Sequence, residues 1–131
     1  TFAWNADDVT RVFRSFFEPG IDNYKYIDLP LSNYASSNYD KVMKGGKVVG
    51  LSMFTGYSFN ERSMLSLGTL DPGVQMGDML TLVWGEEGGG SQKTTVERHK
   101  QIEIRVEVAP VPYARQVRES YHQGWRTAQP A

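Results

Sequence analysis

Between Gln101 and Ala109 the chain reads Ile102-Glu103-Ile104-Arg105-Val106-Glu107-Val108, with apolar and charged residues in strict alternation. Successive side chains of a strand point to opposite faces, so this pattern fits an extended segment with one face in a core and the other in water. Wound as a helix, the same residues would scatter charge around every side. Other stretches share strand character. Met64 to Leu70 alternates and runs into the turn signal Asp71-Pro72-Gly73, and Met79 to Trp84 is an apolar run of strand composition. Lys41-Val42-Met43 and Val48 to Phe54 flank Lys44-Gly45-Gly46-Lys47, whose glycine pair can take the positive φ values of a tight hairpin turn. Lys25 to Leu29, ended by Pro30, is a further short candidate. Thr94 to Glu97 is another, joined to the Met79–Trp84 run by the glycine-rich Gly85–Gln92 loop. Ser32 to Asn38 is polar and loop-like. Short strands between turn signals predict a mainly β fold, an antiparallel Greek-key barrel or sandwich.

Two helices bracket the strands. Asn5 is suited to cap a helix N-terminus, because its side-chain oxygen can accept from the amides freed in the first turn. Asp7 and Asp8 then lie where the helix dipole favours negative charge. Trp4 and Val9 have the spacing of a hydrophobic staple. Val9, Val12, Phe13, Phe16 and Phe17 recur at helical spacing and make one wide apolar face, and Glu18-Pro19-Gly20 ends the helix. After Pro110 and Pro112, Ala114 to Tyr121 forms a short closing helix. The 131 residues thus read as a single domain: an N-terminal helix over 1–20, a β barrel over 24–112 and a C-terminal tail over 113–131. No internal repeat is present. A chain of this length can hide a core without staples, and six Phe, seven Tyr and three Trp supply one. The start at Thr1 without an initiator Met suggests a piece of a longer protein.

Composition removes whole classes of function. With 14 basic and 15 acidic residues spread along the chain, no electrostatic footprint for nucleic acid or anionic lipid exists. Cysteine is absent, which excludes disulfides, thiolate nucleophiles and thiolate metal sites within this chain. No apolar run reaches the length of a membrane span, and no signal segment opens the chain, so a cytoplasmic location is expected.

Four candidates for chemistry remain. Gly85 and Gly90 have the spacing of a phosphate loop, but Ser91 and Gln92 stand where Lys and Ser/Thr are needed, so a plain hairpin loop is the better reading. Glu97, His99 and Glu103 could be imagined as metal ligands. With His122 as the other histidine and no two-histidine helical spacing, a polar strand edge is the simpler account. The segment Thr55-Gly56-Tyr57-Ser58-Phe59-Asn60-Glu61-Arg62 reads as a loop with polar groups in an aromatic frame. It is either a turn that caps the barrel or packs on another domain, or the rim of a shared pocket. Arg115, Arg118 and Arg126 lie near Tyr113, Tyr121 and Trp125, a set suited to a carboxylate or a conjugated ring. On spacing alone, a solvated terminal helix is the better account.

Several strings add a resemblance. Gly46-Lys47-Val48-Val49-Gly50, Ser52 through Ser58, Gly77 before the Met79–Trp84 run, and Pro110-Val111-Pro112-Tyr113 resemble the C-terminal barrel domain of the glycine-cleavage T-protein (aminomethyltransferase) family. Further strings are closer to the tetrahydrofolate-dependent aryl O-demethylases of the vanillate and syringate type. These are Ser32-Asn33-Tyr34-Ala35-Ser36, Tyr57 to Arg62, Val83-Trp84-Gly85-Glu86, Val111 to Arg115 and Gly124-Trp125-Arg126-Thr127. The resemblance covers nearly the whole chain. It implies methyl transfer from a methoxy-aromatic substrate to tetrahydrofolate, releasing a phenol and methyl-tetrahydrofolate. It also implies that the catalytic residues lie in N-terminal domains of the same polypeptide, with this domain closing against the folate pocket and inactive alone. No catalytic residue is expected here. Arg115 is expected to contact folate, with Tyr113 and Arg118 as neighbours, although Ala114 departs from the family pattern and leaves Arg115 against Arg118 open. Two other readings stand beside it: the same domain in a glycine-cleavage aminomethyltransferase, and a non-catalytic β-barrel binding module.

Overall fold

The computed structural model describes residues 1–20, 22–31, 39–90, 94 and 96–124. Six strands form a closed antiparallel barrel in the order β1-β4-β3-β2-β5-β6. They are β1 (Phe2–Trp4), β2 (Asp40–Lys44), β3 (Lys47–Ser58), β4 (Ser63–Leu70), β5 (Met79–Trp84) and β6 (Ile102–Val108). The helices are α1 (Ala6–Ser15) and α2 (Arg115–Gly124). Ser32 to Asn38, Ser91 to Lys93 and Trp125 to Ala131 lie outside the described residues, as do the side chains of Tyr121 and His122.

The alternating segment behaves as its pattern requires. Ile102, Ile104, Val106 and Val108 are buried while Glu103, Arg105 and Glu107 are exposed. The β2–β3 hairpin turns on Gly45 and Gly46 with φ of 57° and 78°, a conformation that a Cβ would strain. Inside the barrel, Val42, Leu82, Ile104 and Val106 are wholly buried. Trp4 meets Trp84 edge-on at 5.6 Å between centroids. Both buried indoles are satisfied: Trp4 Nε1 donates to Ser66 Oγ at 2.9 Å, where Ser52 Oγ also donates at 2.7 Å, and Trp84 Nε1 donates to the Lys25 carbonyl.

Barrel closure depends on a strand that the periodicity does not announce. The first residues are strand β1, not merely an approach to the helix. Phe2 pairs with Ser66 of β4 on one side and Val108 of β6 on the other. Space for the Phe2 ring exists because residue 68 is glycine: a Cβ there would stand 2.2 Å from the ring. Asn5 caps α1 as expected, accepting from the Asp8 amide at 3.1 Å. Val12 is wholly buried, and Val9, Phe13 and Phe16 are half-buried against the core. Phe17 does not belong to that face. The helix ends at Ser15, and Phe17 beyond it is 83% exposed.

Three further expectations are corrected. Lys25 to Leu29 forms no ladder; Lys25 and Ile27 are buried, and the residues flanking the segment make the isolated bridges Tyr24–Lys100 and Leu31–Gly56, the second of them to β3. The segment's alternation reflects one face turned inward. The described residues of Thr94 to Glu97 form no strand either. Thr94 lies in a turn, Val96 is buried, and the Glu97 carbonyl accepts from His99 Nδ1. Finally, Thr55 to Ser58 is the end of β3, and only Phe59 to Arg62 turns. A bulge between Met53 and Gly56 hides the continuity, because it breaks the period at which outward residues recur. No helix among the described residues is long and apolar enough to cross a membrane.

Candidate functional site

The outer surface of the barrel is divided. On β6 the outward residues are charged. On β3 and β4 they are Leu51, Met53, Leu65 and Leu67, with Met53 opposite Leu67 and Gly56 opposite Leu65 in the ladder. Over this apolar side lies a groove of about 410 Å³. Its floor is Gly56, Leu65 and Leu67; Leu31 forms one wall and Val111 to Tyr113 another, with Phe54 and Tyr57 at the rim. The β3 bulge shapes it. Phe54 has φ of 54° and its ring is 73% exposed, and a bulky side chain in the left-handed region costs of order 1–2 kcal/mol. Gly56 lets the Pro30–Leu31 segment seat directly on the strand: the Tyr57 amide donates to the Pro30 carbonyl at 2.7 Å, and a Cβ at residue 56 would lie 2.9 Å from that oxygen.

On the far side of Tyr57 lies a second apolar hollow of about 290 Å³, bounded by Val9, Phe13, Leu29, Arg62 and Met64. Arg62, with φ of 52°, lays its guanidinium over the Phe59 ring at 4.1 Å. The aromatic segment singled out in the sequence therefore does border both hollows, through Tyr57, Ser58 and Arg62.

The three predicted folate-contacting residues fall in different places. Tyr113 is in the groove wall. Arg118 braces that wall, since its guanidinium donates to the Pro112 carbonyl at 2.7 Å and to the Tyr113 carbonyl. Arg115 is not in the groove. Its side chain is 80% exposed and pairs with Glu119 one turn on, at 2.7 Å. The geometry thus separates a residue held by the fold from one presented to solvent.

Of the imagined metal ligands, His99 is engaged by the fold. His99 is buried; its Nε2 accepts from the Glu86 amide at 2.8 Å and its Nδ1 faces the Glu97 carbonyl at 2.9 Å. A carbonyl can only accept, so Nδ1 carries the proton and both ring nitrogens are engaged. Among the described residues no group of three or more His, Asp or Glu side chains could hold a metal ion. In the glycine-rich loop, Gly88 to Gly90 all have positive φ, and Gly89 approaches the His99 carbonyl so closely that a Cβ would lie at 2.8 Å. That loop packs on His99.

Leu31, Phe54, Leu67 and Val111 are the groove residues that sequence reasoning did not single out. A signal was present: in Met64-Leu65-Ser66-Leu67 the apolar residues fall on both faces of the strand, as they do not in β6.

No family model matches the chain. The chain is 43% identical over 128 residues to a protein named syringate O-demethylase from Sphingobium sp.. The match takes in 97% of this chain and 28% of the relative, so the chain spans little more than a quarter of that protein's length.

Proposed function

We propose that this chain is the barrel domain of a tetrahydrofolate-dependent O-demethylase acting on methoxylated aromatic compounds of the syringate type. The likeness to the named demethylase, running through nearly the whole chain, is the observation that carries this reading. In it, methyl transfer from the aryl ether oxygen to tetrahydrofolate takes place on other domains of the polypeptide. The barrel contributes a contact to the folate. Arg115 is the residue for that contact: its present bond to Glu119 is an exposed pair of adjacent turns, worth about 0.3–0.5 kcal/mol, and a carboxylate of the glutamyl tail can replace it at little cost. Arg118 is less available, because turning it outward would abandon the two carbonyls it now satisfies. Tyr113 lies beside this terminal segment and completes the contact through the apolar wall.

In the full-length enzyme, Arg115→Ala is expected to raise the KM for tetrahydrofolate roughly ten- to a hundredfold, the loss of one charge-assisted contact. The kcat should change little, because a contact to a tail remote from the methyl group is equal in ground and transition states. An unchanged KM for folate in a correctly folded Arg115→Ala protein would reject the assignment. A folate defect confined to Arg118→Ala, with unaltered thermal stability, would move the contact to that residue.

A further inference from the structure

The apolar side of the barrel is larger than the groove alone. Leu29, Leu31, Phe54, Leu67 and Val111 are each 45–73% exposed and line the two hollows that share Tyr57, and Phe59, 66% exposed, lies beside them under Arg62. A contiguous set of this kind on one face, rimmed by polar residues, marks a contact surface, whereas single exposed apolar residues would need no explanation. A second observation is independent of exposure. Phe54 and Arg62, two non-glycine residues with positive φ, both border this face. Backbone strain of this sort is kept where a surface must present particular side chains. A third concerns charge. Arg62 rests on Phe59 at the edge of this face, and among the described residues no carboxylate pairs with it.

We infer that this face, centred on Leu67, Tyr57 and Val111, is a standing interface with the rest of the same polypeptide, whose covering surface is apolar and brings a carboxylate to Arg62. The inference rests on the reading that the chain is part of a longer demethylase-like protein, and it names the part of the barrel that meets the remainder. The occupant is argued from length. The homologous protein carries nearly three quarters of its residues outside the matched region. A β barrel joined to so much more chain needs a face to pack against it, and the charged face of β6 is not suited to one. Packing between domains of one chain buries surfaces on the order of 600–1,500 Å².

The test is cysteine labelling of the full-length protein, read by mass spectrometry at the introduced site. Single thiols are placed by Leu67→Cys or Val111→Cys in the interface and by Glu103→Cys on the charged face, each position being exposed in the barrel alone. Relative to the same variants unfolded in urea, the thiols of Leu67→Cys and Val111→Cys are expected to react with a maleimide at least about tenfold more slowly than that of Glu103→Cys. Adding Arg62→Glu to Leu67→Cys is expected to raise its rate about fivefold or more, because two like charges then oppose across the contact. Equal rates at all three sites would overturn the inference, and no effect of Arg62→Glu would overturn the carboxylate. Protection lost on dilution would mean a second copy of the chain covers the face, and protection gained only with tetrahydrofolate or syringate would mean a ligand does; either outcome rejects a standing interface. Methyl transfer by a protein whose groove is open would defeat this inference alone. A protected groove in a protein without methyl transfer would defeat the functional reading alone.

Discussion

Asp8 is where helix and barrel are locked together. Its carboxylate accepts from the Arg105 amide and from the guanidinium Nε at 2.9 Å each, and its second oxygen accepts from the same guanidinium at 2.9 Å. Arg105 also reaches Asn5 Oδ1, so the capping residue and the first turn share one partner on β6. The Arg105 hydrogen bonds hold the Asp8 carboxyl below the ordinary aspartate range, against the opposing effect of its burial. A carboxyl depressed in the folded state contributes stability that is fully present above its unfolded pKa and lost as pH falls through the folded one. The lock should therefore weaken at about pH 4 and lower, and be intact at neutral pH. Asp8→Asn is expected to cost roughly 1.5–3 kcal/mol at pH 7, the range for hydrogen bonds to charged groups, and to flatten the acid limb of stability. Urea unfolding of both proteins from pH 7 downward checks this; parallel curves would contradict it. The sequence displays Asp8 as a dipole-complementing residue of the first turn. Its partner is invisible there, since Arg105 reads only as the outward charge of an alternating strand.

Among the elements, those with several turns of a period are legible and those with few are not. The seven residues of β6 and the glycine-turned β2–β3 hairpin follow from alternation and turn chemistry alone. Strand β1, with three residues, offers too few positions to show a period, yet it supplies the two ladders that close the barrel. The Lys25–Leu29 segment has the alternation without the pairing, because burial of one face and formation of a ladder are separate requirements. The helix face is legible up to its end, where spacing does not tell that Phe17 lies past the last turn. Phe2→Ala is accordingly expected to destabilise the 131-residue chain by about 3–5 kcal/mol. Phe17→Ala should change it by no more than about 0.5 kcal/mol. Thermal unfolding of the two variants measures the contrast, and similar losses would contradict the assignment of Phe2 to the barrel core.

Taken whole, the barrel has a filled interior and one apolar outer side. Its histidine with described side chain is committed to a loop, the Ser66 hydroxyl to Trp4 and Ser52, and the Arg115 side chain to a neighbouring turn. Of the residues bordering the hollows, Tyr57 and Arg62 stand out by composition and Tyr113 by likeness to a family, whereas Arg115, named on the same likeness, lies outside the groove. Leu67 is legible only through apolar residues on both faces of its strand, a sign of a second buried face that does not say what covers it, and Val111 carries no such sign. In the proposed function, methyl transfer belongs to the longer polypeptide. It is tested by incubating the full-length protein, and separately the 131-residue chain, with syringate and tetrahydrofolate. Methyl-tetrahydrofolate and the demethylated phenol are then quantified together by mass spectrometry. The proposed function predicts the two products in equal amounts from the full-length protein, none when folate is omitted, and none from the barrel by itself. Demethylation without folate, turnover by the isolated barrel, or no methyl transfer by the full-length protein would contradict it.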